Sequence, residues 1–120
     1  VCRNGDDCGH GVLDKDVLNN TDDFTNYYNL FMGDNYALAK ITQENPKNDD
    51  HLLVLKDSYA NPVLGYLGES FGTVSAIDVR YLDDYDVSIA EYAKENDVDA
   101  VLFLHNDRIT GLGSMYQEGL

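Results

Sequence analysis

Apolar positions in the second half of the chain switch between two rhythms. Leu52-Leu53-Val54-Leu55 is an unbroken apolar run ending at Lys56, the pattern of a strand buried on both faces, near residues 52–56. Val63, Leu64, Leu67 and Phe71 then recur at helical spacing and predict a helix near 62–71, with Asn61 as N-cap, Pro62 at its first position and Gly72 as its stop. Gly65 and Gly68 weaken that helix, so packing must hold it. A second strand is expected near 73–79. A second helix is expected near 87–96, capped by Asp86 or by Ser88, which has the capping-box spacing to Glu91. Ile89, Tyr92 and Ala93 form its buried stripe, Asp97-Val98-Asp99 a turn, and residues 100–104 a third apolar strand. Strand, helix, strand, helix, strand with short links predicts an α/β fold with a parallel sheet and a βαβαβ core.

The first half is less regular. Residues 1–23 are rich in Gly, Asp and Asn and read as an irregular N-terminal arm. Phe24, Tyr27, Tyr28 and Phe31 have helical spacing over 24–33, closed by Gly33. Tyr36–Ile41 predicts a short strand, and 45–50 a polar turn around Pro46. The expected organisation is one α/β domain over 24–106, followed by a polar, Gly-rich tail over 107–120.

Charge narrows the partners. The 120 residues carry 22 acidic and 8 basic side chains, a net charge of −14. Phosphate binding needs a basic surface, so nucleic acid and anionic membranes are disfavoured. No apolar run approaches a membrane span. Cys2 and Cys8, spaced C-x5-C, fit a small disulfide loop in an exported protein or two free thiols; the spacing suits no zinc site. Asp14-Lys15-Asp16 lacks the ligand spacing of a calcium loop. No phosphate loop, cofactor motif or metal set is present. The chain opens at Val1 without an initiator Met or a signal-peptide core, as expected of a mature or excised piece.

The candidate chemistry lies at strand ends. Ser58 follows the first predicted parallel strand, Asp78 ends the second and His105 follows the third, so parallel pairing brings all three to one edge. Ser58 is a candidate nucleophile near the N–H groups of a helix start, with His105 as base and Asp78 as acid. The alternatives are that Asp57 and Ser58 are ordinary turn and cap residues, that Asp78 pairs with Arg80, and that His105 is a surface residue.

Lys56-Asp57-Ser58-Tyr59-Ala60-Asn61-Pro62, followed by Ile77-Asp78-Val79-Arg80-Tyr81 and Glu91-Tyr92-Ala93-Lys94-Glu95-Asn96, resembles the C-terminal part of the DHHW family of bacterial exported proteins. Those proteins are similar to the SGNH-hydrolase-like domains of alginate O-acetyltransferases. The resemblance runs from Asp23 to Asn106 and implies a flavodoxin-like, SGNH-like fold, of which this chain is the C-terminal portion. It also implies an extracellular or cell-envelope location and a serine, Ser58, that moves acyl groups to or from carbohydrate. The Asp-His-His-Trp stretch that names the family is absent, which puts the base and acid in doubt; the nearest pattern, Asp7-Cys8-Gly9-His10, is similar to the Asp-x-x-His of other SGNH hydrolases and lies outside the region of resemblance. The expected function is therefore part of a serine-dependent carbohydrate O-acetyl esterase or O-acetyltransferase, with carbohydrate or an acylated glycan as partner. The alternative is a non-catalytic binding or structural module, in which tyrosines such as Tyr59, Tyr66, Tyr81 and Tyr85 supply stacking surfaces.

Overall fold

The computed structural model describes residues 1–19, 22, 25–84 and 88–106. Their strands are β1 (Cys2–Arg3), β2 (Asp7–Cys8), β3 (Leu38–Thr42), β4 (His51–Lys56), β5 (Thr73–Asp78) and β6 (Ala100–Leu104). These form one sheet in the order β2-β1-β3-β5-β4-β6. Two α-helices join the last three strands, α1 (Asn61–Gly68) between β4 and β5 and α2 (Ile89–Glu95) between β5 and β6.

The βαβαβ core matches its apolar pattern. All of β4 is buried, and it pairs in parallel with β5 on one side and β6 on the other. One face packs Leu52, Val54, Val74 and Ala76 against Leu64 of α1, and the other packs Leu53, Leu55 and Ile77 against Ile89 of α2. Burying one such aliphatic side chain contributes about 1.5–3 kcal/mol. α2 begins where the capping box predicts, with Ser88 Oγ accepting from Glu91 N at 3.3 Å. A buried chain of hydrogen bonds ties α2 to the sheet: Tyr92 Oη and Ser75 Oγ lie 2.8 Å apart, Ser75 Oγ is 2.8 Å from His51 Nε2, and His51 Nδ1 is 2.9 Å from the Asn96 carbonyl. A carbonyl only accepts, so Nδ1 carries the proton and Nε2 accepts from Ser75.

Several expectations need correction. The sheet is mixed, because β3 pairs antiparallel with β5, β1 with β3, and β2 with β1. The reason is the link 43–50: it has no helix, so it joins strand ends at the same edge, whereas a parallel step needs a long crossover. Residues 1–23 are not wholly irregular. Their first ten residues form a hairpin on β3, closed by the Cys2–Cys8 disulfide and by Val1 N donating to His10 O at 2.6 Å. The predicted helix over 24–33 is a single 3-10 turn, Tyr27–Leu30, capped by Asn26, with Phe31 bridging to Leu13 and Phe24 outside the described residues. Tyr27 and Tyr28 are exposed, so no core selects a longer helix there.

α1 stops at Gly68, not Phe71, and Gly72 has another role: a Cβ there would collide with the Asn48 carbonyl oxygen of the link crossing over it. β5 ends at Asp78, and Val79–Asp84 continues as 3-10 turns. α2 spans less than 87–96, and Asp86 lies outside the described residues, as does the expected tail. β6 is apolar yet largely exposed, with Val101 and Phe103 uncovered beside α2.

Candidate active site

Ser58 opens a 3-10 turn, Ser58–Ala60, that runs directly into α1. Asp57 is the cap of this assembly, and Asn61 is not. The buried Asp57 carboxylate accepts from Tyr59 N at 2.9 Å through Oδ1, while Ala60 N donates to the Asp57 carbonyl at 3.2 Å. Asn61 N donates to the Ser58 carbonyl, so the N–H groups that follow Ser58 are already engaged. Asn61 has helical backbone angles, which turn its side chain away from a capping role. Its Nδ2 donates to Asn35 Oδ1 at 3.1 Å, and its Oδ1 is buried without a partner among the described residues.

The strand order β5-β4-β6 makes β4 the point where the crossovers change direction, and Ser58 follows β4. The loops after β4 and β6 meet there: Asn106 N donates to Asp57 Oδ2 at 3.0 Å. His105 directly follows β6, one strand from Ser58 at the same edge. Its Nδ1 lies 2.9 Å from the Asn106 carbonyl, which makes Nδ1 the protonated nitrogen and places the basic lone pair of the neutral ring on Nε2. The half-buried Ser58 hydroxyl makes no hydrogen bond to another described residue. It borders a cleft of about 320 Å3 shared with Asn26, Tyr28 and Tyr59, and Tyr28 Oη donates to the Ser58 carbonyl at 2.7 Å.

Asp78 stands at the same edge but on the other side of β4. Lys56 lies between, paired with Asp78 across one ladder and with Leu104 across the other. Both Asp78 oxygens face cations: Oδ1 accepts from Arg80 Nε at 2.8 Å, and Oδ2 accepts from Arg80 at 2.6 Å and from Lys56 Nζ at 3.1 Å. Burial alone raises the Asp78 pKa; the Arg80 and Lys56 hydrogen bonds and charges outweigh it and hold the carboxyl below its usual range. Burial pushes the Lys56 ammonium below its usual value, with Asp78 opposing the shift. The structure thus brings Ser58 and His105 to adjoining loops and leaves Asp78 two strands from His105, held by Lys56 and Arg80.

Asp7 and His10 do pair, with Nε2 2.7 Å from Oδ1. That hydrogen bond to His10 lowers the Asp7 pKa. The pair belongs to the far hairpin, however. β2 is four strand intervals from β4, about 19 Å at ~4.8 Å each, and the chain leaving β2 runs toward the opposite edge of the sheet. Sequence reasoning also passed over the Asp57–Asn106 link. A buried Asp immediately after a strand, level with the residue pair ending the neighbouring strand, is the signal that points to it.

No family model and no curated protein matches the chain. Solved structures do. A DHHW family protein from Eubacterium siraeum aligns at 29% identity and a TM-score of 0.63, over 80% of this chain and 28% of that one. Bacillus cereus PatB1 carrying a sulfonyl adduct aligns at 32% identity and a TM-score of 0.60, over 68% of this chain and 27% of that one. A second structure of Bacillus cereus PatB1 aligns at 34% identity and a TM-score of 0.57, over 63% of this chain and 24% of that one. The chain is therefore related to DHHW-family and PatB1 structures and spans about a quarter of their length.

Proposed function

We propose that this chain carries the nucleophile end of a serine-dependent acyl-transfer site: a portion of an O-acetyltransferase or O-acetyl esterase with an SGNH-like fold, acting on carbohydrate in the bacterial cell envelope or exterior. One observation carries the reading. Ser58 borders a cleft and follows β4, at the strand-order switch point, on a turn fixed by Asp57. A sulfonyl adduct, as in the related PatB1 structure, is what an activated hydroxyl nucleophile forms with a sulfonylating reagent.

In this reading Ser58 Oγ attacks the acyl carbonyl while His105 Nε2 takes its proton. The bond to the leaving oxygen breaks, and His105 returns the proton to that oxygen. An acyl-serine remains. A glycan hydroxyl, or water in an esterase, then attacks the acyl carbon and gives its proton to His105; the acyl–Ser58 bond breaks, and His105 passes that proton to Ser58 Oγ, restoring both groups. Asp57 holds the two loops in register. Asp78 anchors Lys56 and Arg80 beneath the site and does not orient His105.

A second reading, a binding module without chemistry, is favoured by one feature: the N–H groups after Ser58 are engaged, so the turn offers a developing oxyanion few donors. Treatment with methanesulfonyl fluoride followed by peptide mass spectrometry separates the two. The acyl-transfer reading expects a sulfonyl mass increment on Ser58, absent from Ser58→Ala and slowed in His105→Ala. An unlabelled Ser58, both in this chain and in a longer chain extended to the length of its relatives, overturns it.

A further inference from the structure

The two edges of the sheet are guarded unequally. At one edge β2 is two residues long and exposed, carries Asp7 and is tied down by the Cys2–Cys8 disulfide, features that discourage another strand from adding there. β6 at the other edge has none of them. Its five residues, Ala-Val-Leu-Phe-Leu, include no charge and no proline, and they pair with β4 in unbroken register. Its outer side is unpaired among the described residues. Leu102 and Leu104 pack toward the α1 face, which directs Val101 and Phe103 to the α2 face. There Val101 is 46% exposed and Phe103 58%. Parallel strands ordinarily have both faces covered, and an apolar, unguarded edge is a template for a further strand.

We infer that β6 pairs antiparallel with β6 of a second copy of this chain, joining the two sheets about a two-fold axis at Leu102. The strand is complementary to itself in that register. Leu102 meets its own counterpart and Ala100 meets Leu104. On the α2 face Val101 of each protomer meets Phe103 of its partner, a β-branched–aromatic pair of the kind that stabilises antiparallel strands. The flanking residues complete the match. Asp99, whose carboxylate accepts from His51 N at 2.8 Å, falls opposite His105. A slip of two residues either way sets Phe103 against Asp99 or Val101 against His105, so one register is favoured. An isologous contact closes at two copies, and the guarded β2 edge offers no route to a longer array. Antiparallel pairing points the carboxyl edges of the two sheets in opposite directions. Neither Ser58 cleft therefore faces the other, and the inference is independent of the acyl-transfer reading. The net charge of −14 on each copy opposes approach at low salt, but at physiological salt screening acts within about 8 Å and the apolar contact governs. Five strand residues a side make a small interface, so the expected dissociation constant is on the order of 10 μM.

The test is the assembly state of the full chain by sedimentation equilibrium, over a concentration series spanning that constant. A monomer–dimer equilibrium is expected, shifting toward dimer as salt rises from about 0.01 M to about 0.15 M. Val101→Glu removes two cross-strand pairs per dimer and should weaken association about tenfold. The substituted side chain is exposed in the monomer, and circular dichroism confirms that the variant is folded. Disulfide trapping reads the register. In an equimolar mixture of Val101→Cys and Phe103→Cys chains the mixed dimer should cross-link ahead of either like pair, as seen by mass spectrometry, because the native cysteines are already bonded to each other. A monomer at every concentration, including one whose β6 amides are protected from exchange by another segment of chain, overturns the inference. So does a dimer indifferent to Val101→Glu, or like pairs trapped as readily as the mixed one. A failure to sulfonylate Ser58 leaves this measurement standing, and a failure here leaves the nucleophile assignment standing.

Discussion

Asp57 and Asn106 hold the candidate site together: the buried carboxylate of Asp57 accepts the Asn106 backbone N–H at 3.0 Å, fastening the loop after β4 to the loop after β6. The other carboxylate oxygen caps the turn that carries Ser58. Ser58 and His105 are thus neighbours of two residues that are themselves bonded.

Asp57→Ala leaves the partly buried N–H groups of Tyr59 and Asn106 without the carboxylate that accepts from them. Each orphaned donor costs about 1–3 kcal/mol, and the loss should appear as a lower urea midpoint at unchanged m-value. Asp57→Asn is the sharper probe. Its carbonyl can still cap Tyr59, but its amide NH2 faces another donor at Asn106. The expected result is intermediate stability with fast amide exchange at Asn106 and slowed sulfonylation of Ser58. An Asn variant indistinguishable from wild type would show that the link positions nothing.

Asp78 is held by two cations, and the two contacts are not equivalent. Arg80 reaches both carboxylate oxygens, whereas Lys56 contributes one bond from a nearly sealed position. Asp78→Asn strands a buried ammonium and should cost about 3–5 kcal/mol. Lys56→Met leaves the Arg80 pair intact and should cost less. The pH dependence follows from the direction of each shift. The folded-state pKa of Asp78 is depressed, so its contribution is fully present above about pH 4, the unfolded carboxyl range, and is lost as pH falls through the lower folded value. The stability gap between wild type and Asp78→Asn should therefore narrow only below about pH 4. Lys56 has the opposite sense: its folded pKa is also lowered, so its burial penalty is present at neutral pH and is relieved as pH rises toward about 10.4. Urea unfolding across both ranges checks the two signs separately.

The legible parts of this chain are those where one residue type has one reason to be where it is. An unbroken Leu-Leu-Val-Leu run must be buried on both faces, and Ser88 three residues before Glu91 has a single use, so β4 and the start of α2 could be read directly. Strands of two residues, as in the N-terminal hairpin, are too short to show a period and were hidden in a polar segment. β6 has the composition of a central strand, and nothing in Ala-Val-Leu-Phe-Leu states that, among the described residues, only one side of it is paired. Lys56 reads as a solvated strand end because its buried partner is 22 positions away. The candidate site divides the same way. Strand ends place Ser58, Asp78 and His105 on one edge, but which side chains meet depends on strand order, and that order puts Lys56 between Asp78 and His105.

Two glycines near the end of α1 should respond unequally to alanine. At Gly72 a Cβ would collide with the Asn48 carbonyl oxygen and sit 3.3 Å from Asp49 Cα, both main chain, in a link that Asn48 pins by hydrogen bonds to Ser70 O and from Gly72 N. Gly72→Ala must move that link and should cost about 1–3 kcal/mol, as overpacking does. At Gly68 the nearest atom is the Cγ2 methyl of the buried Ile41 side chain, at 3.2 Å, a tight contact but not a main-chain one. Alanine's helix propensity, at most about 1 kcal/mol, offsets part of that crowding, so Gly68→Ala should cost less than Gly72→Ala. Thermal unfolding of the two variants side by side reads the difference.

The Cys2–Cys8 disulfide closes a short hairpin against β3, while the core strands β4, β5 and β6 lie on the far side of the sheet. A loop this small restricts the unfolded chain by about 2 kcal/mol in the chain-entropy account. Replacing both cysteines by serine should therefore act locally before it acts globally. Amides of β1 and those of β3 that face it, around Ala39 and Lys40, should exchange faster, because the hairpin holds that edge. Amides in β4 should keep the protection set by global unfolding, and the Ser58 cleft should be unchanged in shape. Hydrogen exchange followed by mass spectrometry distinguishes this from the contrary outcome, uniform loss of protection across the sheet, in which the hairpin would be part of the core's cooperative unit.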